Sequence, residues 1–259
     1  MCLIAILTDF GTKDEYVAAM KGVISSISPK AKTIDISHQI QKHNVKQGSY
    51  MLKRLIGYFP KDTIYLGVVD PGVGTERKGL LIEAKGAWFI GPDNGLLIPA
   101  AQKLGIKRVI KLTNRRYWLK PTSSTFHGRD IFAPVAAWLS KGTEPTNFGK
   151  VIENWVNLEN VQPKVKGDTI FGEVLHVDDF GNIITNIPTD LMKVDNEVWI
   201  SIKDALFSTK IRKSYGEIKR GELLVLIGSS GFLEIAKNQE NAAKYFKVKE
   251  GAEIRVRHS

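Results

Sequence analysis

The sequence has a single cysteine, Cys2, so no disulfide can form within the chain and no multi-cysteine zinc site can be built. It also lacks long hydrophobic runs. The longest candidate, Ile131 to Leu139, contains Pro134 and falls far short of the ~20 residues that span a bilayer. No Gly-Lys-Ser/Thr phosphate loop is present, and no His-Glu-x-x-His pair, so a nucleotide phosphate has no recognised cradle and a zinc site is not expected. The apolar start Met1-Cys2-Leu3-Ile4 has no basic region before it and no cleavage site after it. Together these absences lead us to expect a soluble, cytoplasmic protein without membrane contact.

What is present is ordinary globular material: 259 residues, 43% hydrophobic, 25% charged and 9% aromatic, enough for one large or two modest domains. Lys and Arg number 37 against 27 Asp and Glu, a formal charge of +10. Such a balance raises the question of nucleic acid. Yet the basic residues are scattered, and the densest groups, Arg115-Arg116, Lys210 to Lys213 and Arg255 to His258, are short and without interleaved aromatics. A solvated basic surface is the better reading, with no nucleic-acid partner.

The first two-thirds alternate strand and helix patterns. Leu3 to Phe10, Thr33 to Ser37 and Thr63 to Asp70 read as strands. Tyr16 to Ile27 and Val45 to Phe59 carry apolar residues at helical spacing. Leu80 to Ala84 and Trp88 to Ile90 form an expected hairpin, with helices at Ile98 to Leu104 and Ile131 to Leu139. This alternation predicts an α/β domain with a mainly parallel sheet over residues 1–162. Pro163 to Gly167 reads as a linker. Over 168–259, short alternating runs at Phe171 to Val177, Ile183 to Ile187, Val198 to Ile202, Leu206 to Ile211, Leu223 to Ile227 and Ile254 to Val256 predict a small β-barrel or sandwich, with one helix near Asn238 to Phe246.

Two expected strands end in aspartate, Asp9 and Asp70, and each is followed by a glycine-bearing turn. One such residue alone is most simply a cap, but two at one sheet edge point to a polar site, because ligands of parallel sheets bind beyond the strands' carboxyl ends. Phe126-His127-Gly128-Arg129-Asp130 brings an imidazole, a guanidinium and a carboxylate to the start of a helix. Asp178-Asp179-Phe180-Gly181-Asn182 is either a bulged turn or a recognition loop, with Phe180 stacking on a flat ring and Asn182 pairing with its polar edge.

These segments, with Val69-Asp70-Pro71-Gly72-Val73-Gly74-Thr75, Arg77 and Gly91-Pro92-Asp93-Asn94-Gly95-Leu96, occur in an order that resembles the S-adenosyl-L-methionine (SAM) hydrolase family. Its members are also called SAM hydroxide adenosyltransferases and are related to fluorinase and chlorinase. The resemblance runs from Asp9 to Ser229-Ser230-Gly231-Phe232-Leu233-Glu234 and implies an N-terminal α/β domain followed by a C-terminal β-barrel. It further implies a homotrimer whose sites lie between the first domain of one subunit and the second domain of its neighbour. No cofactor and no metal are implied. The catalytic residues would be Asp70, Arg77 and His127. Asp9 would hold the ribose hydroxyls, Asn182 the adenine edge and Asp178 the methionine ammonium, with Phe180, Ser229, Ser230 and Glu234 completing the substrate-binding set. His43 stands where several relatives carry an aromatic residue. The implied reaction converts SAM and water to adenosine and L-methionine. Halide-dependent adenosyl transfer and non-catalytic adenosine or SAM binding are the alternatives.

Overall fold

The computed structural model describes residues 2–158, 162–192 and 197–258, and the chain divides into two compact units, Met1–Leu158 and Glu159–Ser259. The first unit runs β1 (Leu3–Thr8), α1 (Tyr16–Ile27), β2 (Lys32–Ser37), α2 (Val45–Arg54), β3 (Thr63–Val68), β4 (Gly79–Ala84), β5 (Ala87–Pro92), α3 (Ile98–Leu104), β6 (Ile106–Leu112), α4 (Ala133–Ser140) and β7 (Gly149–Ile152). Its seven-stranded sheet has the order β2-β1-β3-β5-β4-β6-β7. The pairs β1–β2, β1–β3 and β3–β5 are parallel, while β4 and β7 run against their neighbours.

Period-two alternation explains the layering. Ile4 and Ile6 of β1 face one core with Met20, Ile24, Phe132 and Ala136. Ala5 and Leu7 face another with Leu52, Tyr65, Phe89 and Ala100. The sheet is therefore buried on both sides, as its continuous apolar strands require. Helix α2 is capped by Asn44, whose side chain accepts Gln47 N–H at 3.0 Å, a contact worth about 1 kcal/mol. It stops at Arg54, earlier than its apolar pattern suggests.

From β1 the chain passes to β2 on one side and then to β3 on the other. Such a reversal marks the place, beyond the carboxyl ends of β1 and β3, where open parallel sheets bind ligands. Asp9 directly follows β1, and Asp70 stands two residues after β3.

In the second unit β8 (Lys164–Lys166), β9 (Thr169–Val177), β10 (Ile183–Pro188), β11 (Glu197–Ile202), β12 (Ala205–Arg212), β13 (Leu223–Ile227), β14 (Phe232–Lys237) and β15 (Glu253–His258) surround one core, with α5 (Ala242–Phe246) before the last strand. The order β10-β14-β13-β12-β11-β15-β9 closes through a β9–β10 pairing into a seven-stranded barrel, and β8 adds to the outside of β9. Val198, Ile200 and Ile202 point inward, alternating with more exposed neighbours. Lys164–Lys166, read from sequence as linker, is thus a short strand; all three of its residues are exposed, so no apolar alternation marks it. Strands β6, β7 and β14 are likewise additions to the elements expected from sequence. No helix among the described residues is long and apolar enough to cross a membrane.

Candidate active site

The loop after β3 carries Asp70 and returns to the sheet through Arg77. It is tightened by Thr75, whose hydroxyl donates to the Gly72 carbonyl at 2.7 Å. Gly74 has φ +79°, and a Cβ there would lie 2.6 Å from the Ser124 carbonyl oxygen, so only glycine lets this loop approach the segment leading to His127. From behind, Asn94 donates to the Val69 carbonyl at 2.7 Å. The Gly91 to Leu96 motif therefore holds the backbone that precedes Asp70.

His127 leads into a π-helical turn, Gly128–Phe132, that continues as α4. Asp130 anchors this turn. It is fully buried, accepts Ser123 N–H at 2.7 Å and pairs with Arg129 at 2.6 Å.

Asp70, Arg77 and His127 meet in one hydrogen-bonded set. Arg77 Nε donates to Asp70 Oδ1 and Oδ2 at 2.9 and 3.0 Å, and Nη2 donates to Oδ2 at 2.5 Å. The same Nη2 lies 2.7 Å from His127 Nδ1. The Asp70 and Arg77 side chains are only 5% and 11% exposed, so their pairing is strong rather than solvent-screened. The guanidinium also rests on the Phe132 ring, 5.2 Å from its centroid. Because arginine has no lone pair to offer, the 2.7 Å contact makes Nδ1 the acceptor. The proton of the neutral imidazole then sits on Nε2. Burial, and next the Arg77 guanidinium, push the His127 pKa below its ordinary value, outweighing the opposite pull of Asp70 and Asp130. Beside Arg77 and His127 opens a cavity of about 510 Å3, lined partly by hydroxyls such as Thr75 and Ser124 and by Lys111 and Arg115.

Asp9 occupies a separate loop of the same unit and is 6% exposed. Its Oδ2 accepts the His43 N–H at 2.9 Å, and its carbonyl accepts Lys42 Nζ at 2.5 Å. His43 contributes here through its backbone, at φ +66°.

In the second unit, the β9–β10 turn holds Asp178 to Asn182. Asp178 Oδ1 accepts Asn182 N–H at 2.8 Å and Oδ2 accepts Asn182 Nδ2 at 3.0 Å, which leaves the Asn182 Oδ1 end facing away from this carboxylate. Gly181 at φ +85° is required, since a Cβ would fall 2.1 Å from Asn241 Cγ. Phe180 projects from the turn, 80% exposed. Tyr215, which the sequence reading missed, donates its hydroxyl to Glu234 Oε1 and lies 3.5 Å from Asn182 Nδ2. Burial and Glu234 raise the Tyr215 pKa, so it stays protonated as the donor. Asp178, Asn182 and Glu234 thus join one network, while Ser229 and Ser230 lie in the turn between β13 and β14. Nothing in the local sequence marks Tyr215, because its partner Glu234 lies 19 residues away, on β14. Among the described residues, no three His, Cys, Asp or Glu side chains group as metal ligands.

An α/β unit with a buried Asp–Arg–His set beyond the end of β3, followed by a closed barrel, is the architecture of a small-molecule enzyme. Residues 4–149 match the family model for the SAM hydroxide adenosyltransferase N-terminal domain, and residues 172–255 match that for its C-terminal domain. The chain belongs to the SAM hydroxide adenosyltransferase family. It is 43% identical to (R)-S-adenosyl-L-methionine hydrolase of Methanocaldococcus jannaschii, covering 98% of this chain and 95% of that one. It is 25% identical to the fluorinase of an Actinoplanes species, over 98% and 97% of the two chains. A crystal structure of a conserved Thermotoga maritima protein superposes with a TM-score of 0.92 at 41% identity, covering 98% of this chain and 99% of that one.

Proposed function

We propose that this chain hydrolyses SAM to adenosine and L-methionine by substitution at C5′. The observation that carries the reading is the Asp70–Arg77–His127 set, a carboxylate and two donors around one point. Water attacks C5′, the C5′–S bond breaks with its electron pair going to sulfur, and one proton leaves the attacking oxygen. The sulfonium is already a good leaving group, so neither acid catalysis nor a metal is demanded at sulfur. The enzyme's task is to hold one water in line and strip it of bulk solvent.

The hydrogen-bond directions divide that task. His127 Nδ1 is occupied by Arg77, so Nε2–H can only donate, steering the water oxygen. Arg77 has no acceptor. Asp70 alone has lone pairs to spare and takes the proton. A carboxylate at this position also disfavours a halide nucleophile through like-charge repulsion, which separates this chain from halide-using relatives. Asp9 would bind the ribose hydroxyls, Asn182 the adenine edge and Asp178 the ammonium of the substrate. Phe180, Ser229, Ser230 and Glu234 would complete the pocket. The two domains, 1–162 and 168–259, would complete one another's sites across subunits of a homotrimer, and the enzyme would act in the cytoplasm.

Incubation with SAM in 18O-labelled water, with and without chloride or fluoride, tests the reading. Adenosine carrying label at its 5′ oxygen is expected under all conditions. A 5′-halogenated nucleoside, or no turnover with bound SAM recovered intact, would replace the hydrolase reading with one of its alternatives.

A further inference from the structure

Asp9 stands on a short loop between β1 and α1, and the fastening of that loop runs through a buried histidine with no part in the triad. His38, at the end of the neighbouring strand β2, is 6% exposed. Its Nδ1 lies 2.9 Å from Thr8 Oγ1. That oxygen already accepts the Phe10 N–H at 3.2 Å, so its own proton is free to be donated to Nδ1. With Thr8 as the donor, the imidazole proton is on Nε2, which lies 3.0 Å from Asp35 Oδ1, at ion-pair distance though without hydrogen-bond geometry. Asp35 is held in turn by Lys21, 2.6 Å away. The main chain of the same histidine closes the loop's other end, its carbonyl accepting Gly11 N–H at 2.7 Å.

A Thr–His–Asp chain has the look of a nucleophile relay, but Thr8 is completely buried and no substrate can reach its hydroxyl. The chain can only position. Between its two fastened ends lies Asp9, whose Oδ2 is taken by His43 N–H; among the described residues its Oδ1 accepts no hydrogen bond and is left for a ligand hydroxyl. We infer that His38 is a positioning residue for Asp9, setting the carboxylate that engages the substrate's ribose through the Thr8–His38–Asp35 chain. The inference rests on the ribose role proposed for Asp9.

His38→Phe removes both ring nitrogens and keeps the volume. It should raise KM for SAM and Kd for adenosine about tenfold while leaving kcat within about threefold, and His38→Asn, which retains an acceptor for Thr8, should recover most of the loss. In an Asp9→Ala background, His38→Phe should add nothing to KM, because the contact it positions is gone. Losses that multiply in the double variant, or a KM unmoved by His38→Phe, would overturn the inference. Amide hydrogen exchange reads the fastening without any turnover. The Phe10 and His43 amides should exchange at least about tenfold faster in His38→Phe, with Ile6 in β1 unchanged. Equal acceleration at all three, or at none, would make His38 an ordinary core residue. Should His38→Phe fail to fold, Thr8→Val tests the same chain. Absence of SAM turnover in the wild-type protein would sink the hydrolase reading alone, since the exchange measurement still decides whether His38 holds the Asp9 loop.

Discussion

At the scale of single residues, one nitrogen of Arg77 faces Asp70 Oδ2 and His127 Nδ1 together, so its removal strips a partner from both. Asp70→Ala, Arg77→Ala and His127→Ala should each lower kcat by roughly 10²–10⁴. Adenosine affinity, measured by calorimetry, should change far less, because none of the three is assigned to the base or ribose. Wild-type turnover in all three variants would refute the catalytic assignment. The same contact makes a pH prediction. Protonating His127 would turn Nδ1 into a second donor facing the guanidinium, so kcat/KM should fall on the acid side with a midpoint below about 6.5, the ordinary histidine value. NMR titration of the imidazole should show the same low value, rising in Arg77→Gln as the guanidinium's contribution is lost. The sign for stability follows: folding depresses this pKa, so His127 contributes stability that is present above about pH 6.5 and lost as pH falls through the folded value. A titration midpoint above that of a free histidine would contradict the tautomer assigned here.

At the scale of elements, the triad depends on two loops approaching closely, one after β3 and one before the Gly128–Phe132 turn. Gly74 makes that approach. Gly74→Ala meets both an unfavourable φ and a 2.6 Å clash with a backbone carbonyl, which cannot swing aside as a flexible side chain would. We expect a loss of about 1–3 kcal/mol in denaturant unfolding and a fall in kcat, since Arg77 shifts with the loop. A variant with wild-type stability and turnover would show that the loop has slack. Elements also differed in how readable they were. The helix α1 and the strands β1 and β3 follow directly from apolar spacing. By contrast, β8 is wholly exposed, and the apolar stripe over Val45 to Phe59 outlasts α2, which ends at Arg54. Periodicity reports which side chains are buried, and it is silent about strands that bury nothing and about where a helix gives way to turns.

At the scale of the whole molecule, the +10 charge is unfavourable for steering a cationic substrate, so the carboxylates proposed to bind it would have to work locally against the background field. The proposed assembly predicts that active enzyme sediments as a trimer and that adenosine or SAM raises its Tm by mass action. A fully active monomer in the ultracentrifuge would remove the trimer from the proposal.

The amino-acid order by itself determined the alternation of strands and helices, the run of short strands that follows, the aspartates at the ends of β1 and β3, and the motifs that mark the family. These are local features, written in spacing and in turn residues that act on their own neighbours. The tertiary structure alone decided that Arg77 bridges Asp70 to His127 fifty residues away, that Tyr215 joins Asn182 to Glu234, and that His38 fastens the loop of Asp9. Such contacts join side chains distant in sequence, and their partners and proton directions follow from where the folded backbone brings donors and acceptors together, which no local pattern encodes.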